Sequence, residues 1–118
     1  MDQLQAKKTM IVKPKIRGFI CTTTHPTGCE VDVQNQINYV KKKGRLSNGP
    51  KKVLIIGASG GYGLASRISA SFGYGAASVG VFLERSPQPF KTGSPGWYRT
   101  AAFSRLAEKE GIYCANVN

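Results

Sequence analysis

The chain has 118 residues and a formal net charge of +11, from 17 Lys plus Arg against 6 Asp plus Glu. That length holds one domain at most and lets roughly 65% of the unfolded surface be buried, while 41% apolar residues and 14 glycines read as a globular rather than a disordered chain. No apolar run reaches the roughly 20 residues that cross a bilayer, and the polar start, Met1 to Thr9, offers no signal peptide, so a cytoplasmic location is expected. Cys21, Cys29 and Cys114 are odd in number and lack CxxC spacing, which supports neither a disulfide framework nor a zinc site and leaves buried or idle thiols.

In chain order, Met10 to Thr24 leans toward β structure through Ile11, Val12, Ile16, Phe19 and Ile20, and His25-Pro26-Thr27-Gly28 reads as a turn. A helix is expected over Glu30 to Lys43, where Val33, Ile37 and Val40 share one face and Gly44 supplies a C-cap. After the Ser47-Asn48-Gly49-Pro50 loop, Val53-Leu54-Ile55-Ile56 has the form of a strand buried on both faces. Leu64, Ile68 and Phe72 then mark a helical stripe over Tyr62 to Phe72, ended by Gly73. A second buried strand is expected over Ser78 to Leu83, closed by Glu84, and a Pro/Gly-rich loop over Ser86 to Gly96. A helix over Trp97 to Glu110 should bury Tyr98, Ala102 and Leu106, and Ile112 to Val117 is the third strand candidate. The order β-α-β-α-β makes the fold class α/β, the N-terminal half of a Rossmann-like doubly wound parallel sheet preceded by a short strand and helix segment.

The basic surplus invites a nucleic-acid reading, because Lys and Arg gain affinity by releasing counterions from phosphates. Eleven basic residues fall in the first 55 positions, yet only Lys41 to Arg45 clusters, and it does so at a helix end where cations suit the dipole. The scattered aromatics form no stacking platform. A small basic module that binds nucleic acid or a partner without catalysis remains the alternative to an enzyme.

The sharpest signal is Gly57-Ala58-Ser59-Gly60-Gly61-Tyr62-Gly63, placed where the first long strand meets its helix. A dinucleotide diphosphate binds at such a junction because the helix start offers free N–H groups and partial positive charge, and glycines let the backbone approach. The spacing is GxxxGxG rather than GxGxxG, and a tight structural turn is the competing reading. Glu84, twenty-one residues beyond Gly63, stands where a carboxylate accepts hydrogen bonds from an adenosine ribose and repels a 2'-phosphate, which selects NADH. Arg85 beside it is the residue type that accommodates that phosphate. A P-loop is excluded, since Leu64 and Ala65 follow Gly63 in place of Lys and Ser or Thr.

Several strings together carry a family resemblance: Ile11 to Cys21 (IVKPKIRGFIC), His25 to Glu30 (HPTGCE), Asn48 to Lys51 (NGPK), Gly57 to Arg67 (GASGGYGLASR) and Gly96-Trp97-Tyr98. From Met10 to Asn118 the chain resembles the N-terminal part of the FabV-type enoyl-acyl-carrier-protein reductases, which include trans-2-enoyl-CoA reductases. Residues 1–9 then read as an extension and residues 10–118 as the first portion of an NADH-binding domain. The resemblance implies an enzyme, monomeric at full length, that uses NADH to reduce the trans-2 double bond of an enoyl thioester of acyl carrier protein or CoA in fatty-acid biosynthesis. It puts the diphosphate-binding turn on Gly57, Ala58, Ser59, Gly60, Gly61 and Tyr62, and the ribose-recognition pair on Leu83 and Glu84. Gly60 departs from the family pattern, which commonly has a hydroxyl or amide side chain there.

The same resemblance implies a catalytic Tyr followed nine positions later by Lys, in a segment beyond Asn118, and an aspartate against the adenine just past it. Nine positions after Tyr39, Tyr62, Tyr74 and Tyr98 stand Asn48, Ser71, Leu83 and Ala107, so no catalytic residue is assigned here. Tyr39 and Lys43 form a YxxxK string, but it precedes the cofactor turn among solvated lysines. His25, the only histidine, is expected to shape its turn; Trp97 and Tyr98 are expected to pack a loop-helix junction rather than line an acyl pocket. A chain that stops after the third strand leaves the first without a partner on one edge, and poor solubility or marginal stability is the expectation for it alone.

Overall fold

A computed structural model of the chain describes residues 11–118; the expected extension, residues 1–9, lies outside the described residues. Two layers make up the molecule, a parallel sheet and a set of helices. The sheet has the order β3-β4-β5, formed by Lys52–Ile56, Ala77–Val81 and Cys114–Val117, with Val53, Ser78 and Cys114 in one register row and Ile55, Gly80 and Asn116 in another. Helices α2 (Gly61–Ile68, continued by a π-helical turn over Ser69–Gly73) and α3 (Pro95–Lys109) pack against that sheet, and α1 (Pro26–Lys42) packs against them. A two-residue antiparallel hairpin, β1 (Ile16–Arg17) with β2 (Ile20–Cys21), precedes them.

The core gathers one stripe from each helix. Val33 and Ile37 of α1 meet Leu64, Ile68 and Phe72, and Phe103 and Ala107 of α3, with the Phe72 and Phe103 rings edge to face at 5.8 Å. On α3 the buried stripe is Gly96, Thr100, Phe103 and Ala107, so the expected Tyr98-Ala102-Leu106 face is rotated: Ala102 is buried, while Tyr98 and Leu106 are only half-buried. The helix begins at Pro95 rather than Trp97 because the proline, lacking an N–H, suits a first helical position. Charge sorts across the same contact. Glu30, Asp32 and Glu110 pair with Arg105, Arg99 and Lys41, so three ion pairs tie α1 to α3.

Two further expectations are corrected. The HPTG string is the start of α1 rather than a turn ahead of it: His25 is the N-cap, its Nδ1 accepting from the Gly28 N–H at 2.8 Å, and Pro26 opens the helix. The strands, moreover, are not buried on both faces. Arg67 of α2 bonds Asn116, and so does Ser104 of α3, which puts both helices on one face of the sheet. The other face carries Leu54 and Ile56 at 66% and 78% exposure, with Val117 exposed and Val79 and Val81 half-buried. A doubly wound sheet covers its second face with elements of its second half. β4 also stops at Val81, which leaves Leu83 exposed instead of in a buried strand.

Candidate functional site

The glycine turn sits at the C-terminal ends of β3 and β4, the end where ligands bind in open α/β sheets. Gly57 leaves β3 at φ +80°, a left-handed conformation that favours glycine, and the Gly57 and Ala58 N–H groups both donate to Val81 O at 2.8 and 3.1 Å. The turn is thereby bonded to the neighbouring strand. Ala58 is fully buried and its N–H is already engaged, so the donors left for a ligand come from the residues after it.

Those donors lie at the start of α2. Gly60 is the N-cap, has no side chain to cap the helix, and no acidic residue follows in the first turn. The N–H groups of the first turn have no intrahelical acceptor, which makes this end electropositive and open to an anion. Gly60 itself is extended at φ −167°, a conformation open to any residue. Gly63 is constrained by space: a Cβ there would lie 1.9 Å from the Gly57 carbonyl oxygen. The helix therefore starts directly against the end of the strand. Tyr62, on the outer side of the turn, is 95% exposed.

Glu84 follows the end of β4, and three contacts fix it. The Ser59 hydroxyl donates to its Oε1 at 2.7 Å. Asn118, just after β5, accepts from the Glu84 N–H at 2.8 Å and donates to the Glu84 carbonyl at 3.1 Å. Gly96 of α3 lies so close that a Cβ on it would stand 2.1 Å from Oε1. The carboxylate is thus held at the mouth of the turn, beside Ser59 and against Gly96.

 The expected ribose residue Leu83 is 91% exposed next to it. Of the expected site residues, the structure joins Ser59 to Glu84 by a hydrogen bond, sets Gly60, Gly61 and Tyr62 at the start of α2, and bonds Gly57 and Ala58 to the neighbouring strand.

Gly96 and Asn118 were not legible as site residues. Nothing in their spacing marks them, because their contacts to Glu84 arise where α3 and β5 come to rest beside β4.

The remaining candidates resolve locally. Tyr98 accepts a hydrogen bond from the Gly93 N–H at 2.9 Å and so pins the loop that leads into α3. Tyr39 is 65% exposed with the Lys43 ammonium over its ring at 5.2 Å, a surface contact at the far end of α1. Cys29 is buried, and burial pushes its thiol pKa up, with the Arg99 charge opposing the shift in part. Cys21 is exposed, and hydrogen bonding to Thr23 holds its pKa down. Among the described residues no group of His, Cys, Asp or Glu could hold a metal ion, and no helix is long and apolar enough to cross a membrane.

Comparison with known proteins adds to this geometry. Residues 11–89 match the family model for the NAD(P)H binding domain of trans-2-enoyl-CoA reductase. The chain is 64% identical over 109 residues to an enoyl-[acyl-carrier-protein] reductase [NADH] from Serratia proteamaculans, and 62% identical over 109 residues to one from a Marinomonas species. Each match covers 92% of this chain and 27% of the relative, so the chain spans about a quarter of the length of these proteins. The trans-2-enoyl-CoA reductase of Treponema denticola, solved in complex with NAD, superposes with a TM-score of 0.87 at 48% identity, over 92% of this chain and 28% of that one. The trans-2-enoyl-CoA reductase of Clostridium acetobutulicum, solved with NADH, gives 0.85 at 44% identity, over 91% and 27%.

Proposed function

The chain belongs to the NAD(P)H-binding domain family of the trans-2-enoyl-CoA reductases, and on that premise we propose that it holds the adenosine and diphosphate part of NADH for an enzyme that reduces the trans-2 double bond of enoyl thioesters. The observation that carries the reading is the Glu84 carboxylate, held by the Ser59 hydroxyl at 2.7 Å beside an uncapped helix start. An anion-binding helix end next to a fixed carboxylate suits a ligand with a diphosphate and a vicinal diol.

The residues fit that ligand. The open space at Gly60 and the close approach at Gly63 leave backbone N–H groups of Gly60, Gly61 and Tyr62 able to face a diphosphate. Glu84 accepts from the ribose hydroxyls and, by charge repulsion, disfavours a 2'-phosphate; exposed Leu83 supplies an apolar edge for the adenosine. When bound, the nicotinamide supplies the two electrons and the hydrogen that reach the β-carbon of the enoyl thioester. No residue of this chain is given the proton-donating role. Whether the acyl carrier is acyl carrier protein or CoA, the thioester is bound by parts of the protein other than this turn. Residues 10–118 form the first portion of the cofactor domain in this reading, preceded by a polar extension.

The test is cofactor binding in the whole gene product, followed by NADH fluorescence, with turnover read from loss of NADH absorbance on adding a trans-2-enoyl thioester. Glu84→Gln removes a charged hydrogen-bond acceptor, a contact of about 1.5–3 kcal/mol, so NADH binding should weaken by roughly 10- to 100-fold and the preference over NADPH should shrink. Equal NADH affinity in the variant and the parent refutes the assignment of Glu84, and no turnover of any enoyl thioester by the parent refutes the reaction.

A further inference from the structure

Arg99 stands on α3 one helical turn beyond Gly96, on the same face. Gly96 lies against Ser59 and Glu84, and the Arg99 guanidinium reaches the next residue of the turn: a Cβ on Gly60 would stand 3.8 Å from Arg99 Nη1. Arg99 Nε faces Asp32 Oδ2 of α1 at 3.3 Å, but that contact lacks the alignment of a hydrogen bond, and Nε is buried with no hydrogen-bond partner among the described residues. The side chain is 33% exposed, so it is neither free in solvent nor committed to a buried network.

A guanidinium presents its donors as a rigid fork, so one edge can stay toward Asp32 while the other faces a second anion. The space in front of Nη1 is the space that glycine at position 60 leaves open, directly beside the uncapped start of α2. The other arginines of the region differ. Arg85 is exposed, and Arg67 is fully buried with its nitrogens bonded to Ser78, Asn116 and Ala115.

We infer that Arg99 is a diphosphate-binding residue of the cofactor site, reaching over Gly60 from α3 to add a positive charge to the N–H groups of the turn. The inference rests on the cofactor site proposed above and extends it to a third element of the fold. It makes α3 a wall of the site: Gly96 gives room to the Glu84 carboxylate, and Arg99 faces the diphosphate one turn later.

The experiment compares two ligands that share the adenosine ribose, of which ADP-ribose adds a diphosphate and a terminal ribose, and the salt dependence of binding isolates the charged part. ADP-ribose and adenosine are titrated into the whole gene product by NMR, for the parent, Arg99→Gln, Arg99→Lys, Arg85→Gln and Glu84→Gln. Loss of a charge-assisted contact of this kind should weaken ADP-ribose about tenfold in Arg99→Gln and leave adenosine unchanged, with Arg99→Lys recovering part of the loss and Arg85→Gln matching the parent. The same variant should lose part of the salt dependence of ADP-ribose binding. If Glu84→Gln weakens both ligands while Arg99→Gln weakens neither, the Arg99 inference falls and the cofactor site stands. Equal weakening of both ligands in Arg99→Gln assigns a merely structural role and also overturns the inference. If Arg99→Gln does not fold, Arg99→Lys decides: ADP-ribose binding weaker than the parent's with adenosine unchanged supports the inference, and ADP-ribose binding at the parental value overturns it. A parent protein that binds neither ligand removes the cofactor site and the inference together.

Discussion

Gly63→Ala tests the junction on which the cofactor site depends. The new Cβ would stand 1.9 Å from the Gly57 carbonyl oxygen and 2.7 Å from its carbon, both backbone atoms that cannot swing aside as a side chain does. Restoring an ordinary contact of about 3.3 Å requires the turn and the helix to part by more than 1 Å. Overpacking of this kind costs about 1–3 kcal/mol, and the better helix propensity of alanine over glycine returns up to about 1 kcal/mol. The expected net loss is about 1–2 kcal/mol, or roughly 4–8 °C in Tm for a domain of this size. NADH binding should suffer more than stability, because the N–H groups at the start of α2 move with the helix. Gly60→Ala is the control: its Cβ meets only Arg99 Nη1, at 3.8 Å, and its backbone is extended, so it should melt like the parent. Thermal unfolding by circular dichroism and NADH titration are the assays. A Gly63→Ala protein that melts and binds like the parent refutes the close approach, and so does a Gly60→Ala protein that is equally damaged.

Arg67 is fully buried, stacks on Phe103 at 4.4 Å, and donates to Ser78 Oγ, Asn116 Oδ1 and the Ala115 carbonyl. Arg67→Met should cost about 2 kcal/mol, since the fully buried Ser78 hydroxyl loses its partner while the desolvation cost of the buried cation is relieved, and adding Ser78→Ala should recover about half; urea unfolding that shows no recovery contradicts this account. Iodoacetamide should modify exposed Cys21 well before buried Cys29, as mass spectrometry of the labelled peptides will show. Because burial raises the folded-state pKa of Cys29 above its ordinary value of 9.0, the unfolded thiol ionises first; the associated stability is whole below that value and is lost as pH rises through the folded pKa. A Cys29→Ala protein should therefore lose less stability than the parent between neutral and strongly alkaline pH.

The order of elements was legible because it rests on local patterns: the 3.6-residue stripe of Leu64, Ile68 and Phe72, the apolar run Val53 to Ile56, and glycines at the strand-helix junction. The strings that resemble the reductase family, GASGGYGLASR above all, pointed to the same junction and to its cofactor. The sequence could not say which helical face of α3 is buried, because Tyr98 and Phe103 are both apolar candidates, and only the position of α1 and Phe72 selects Phe103. Nor could it say that His25 caps α1, since a turn and a helix start share the same His-Pro signal until the Nδ1 bond to Gly28 is seen.

Burial depends on what lies opposite, and that is a long-range property. An uninterrupted apolar strand reads as covered on both faces, yet Leu54 and Ile56 are exposed because α2 and α3 lie on the same side of the sheet. The site divides in the same way. Its chemistry, a glycine turn and a carboxylate at the end of the next strand, is written in residues 57–63 and 84. Its fixed geometry comes from residues far along the chain, with Asn118 holding the Glu84 backbone, Gly96 making room for the carboxylate and Arg99 reaching Gly60. Residue types and spacing determine which groups are available, while the packing of α3 and β5 beside β4 decides where those groups point.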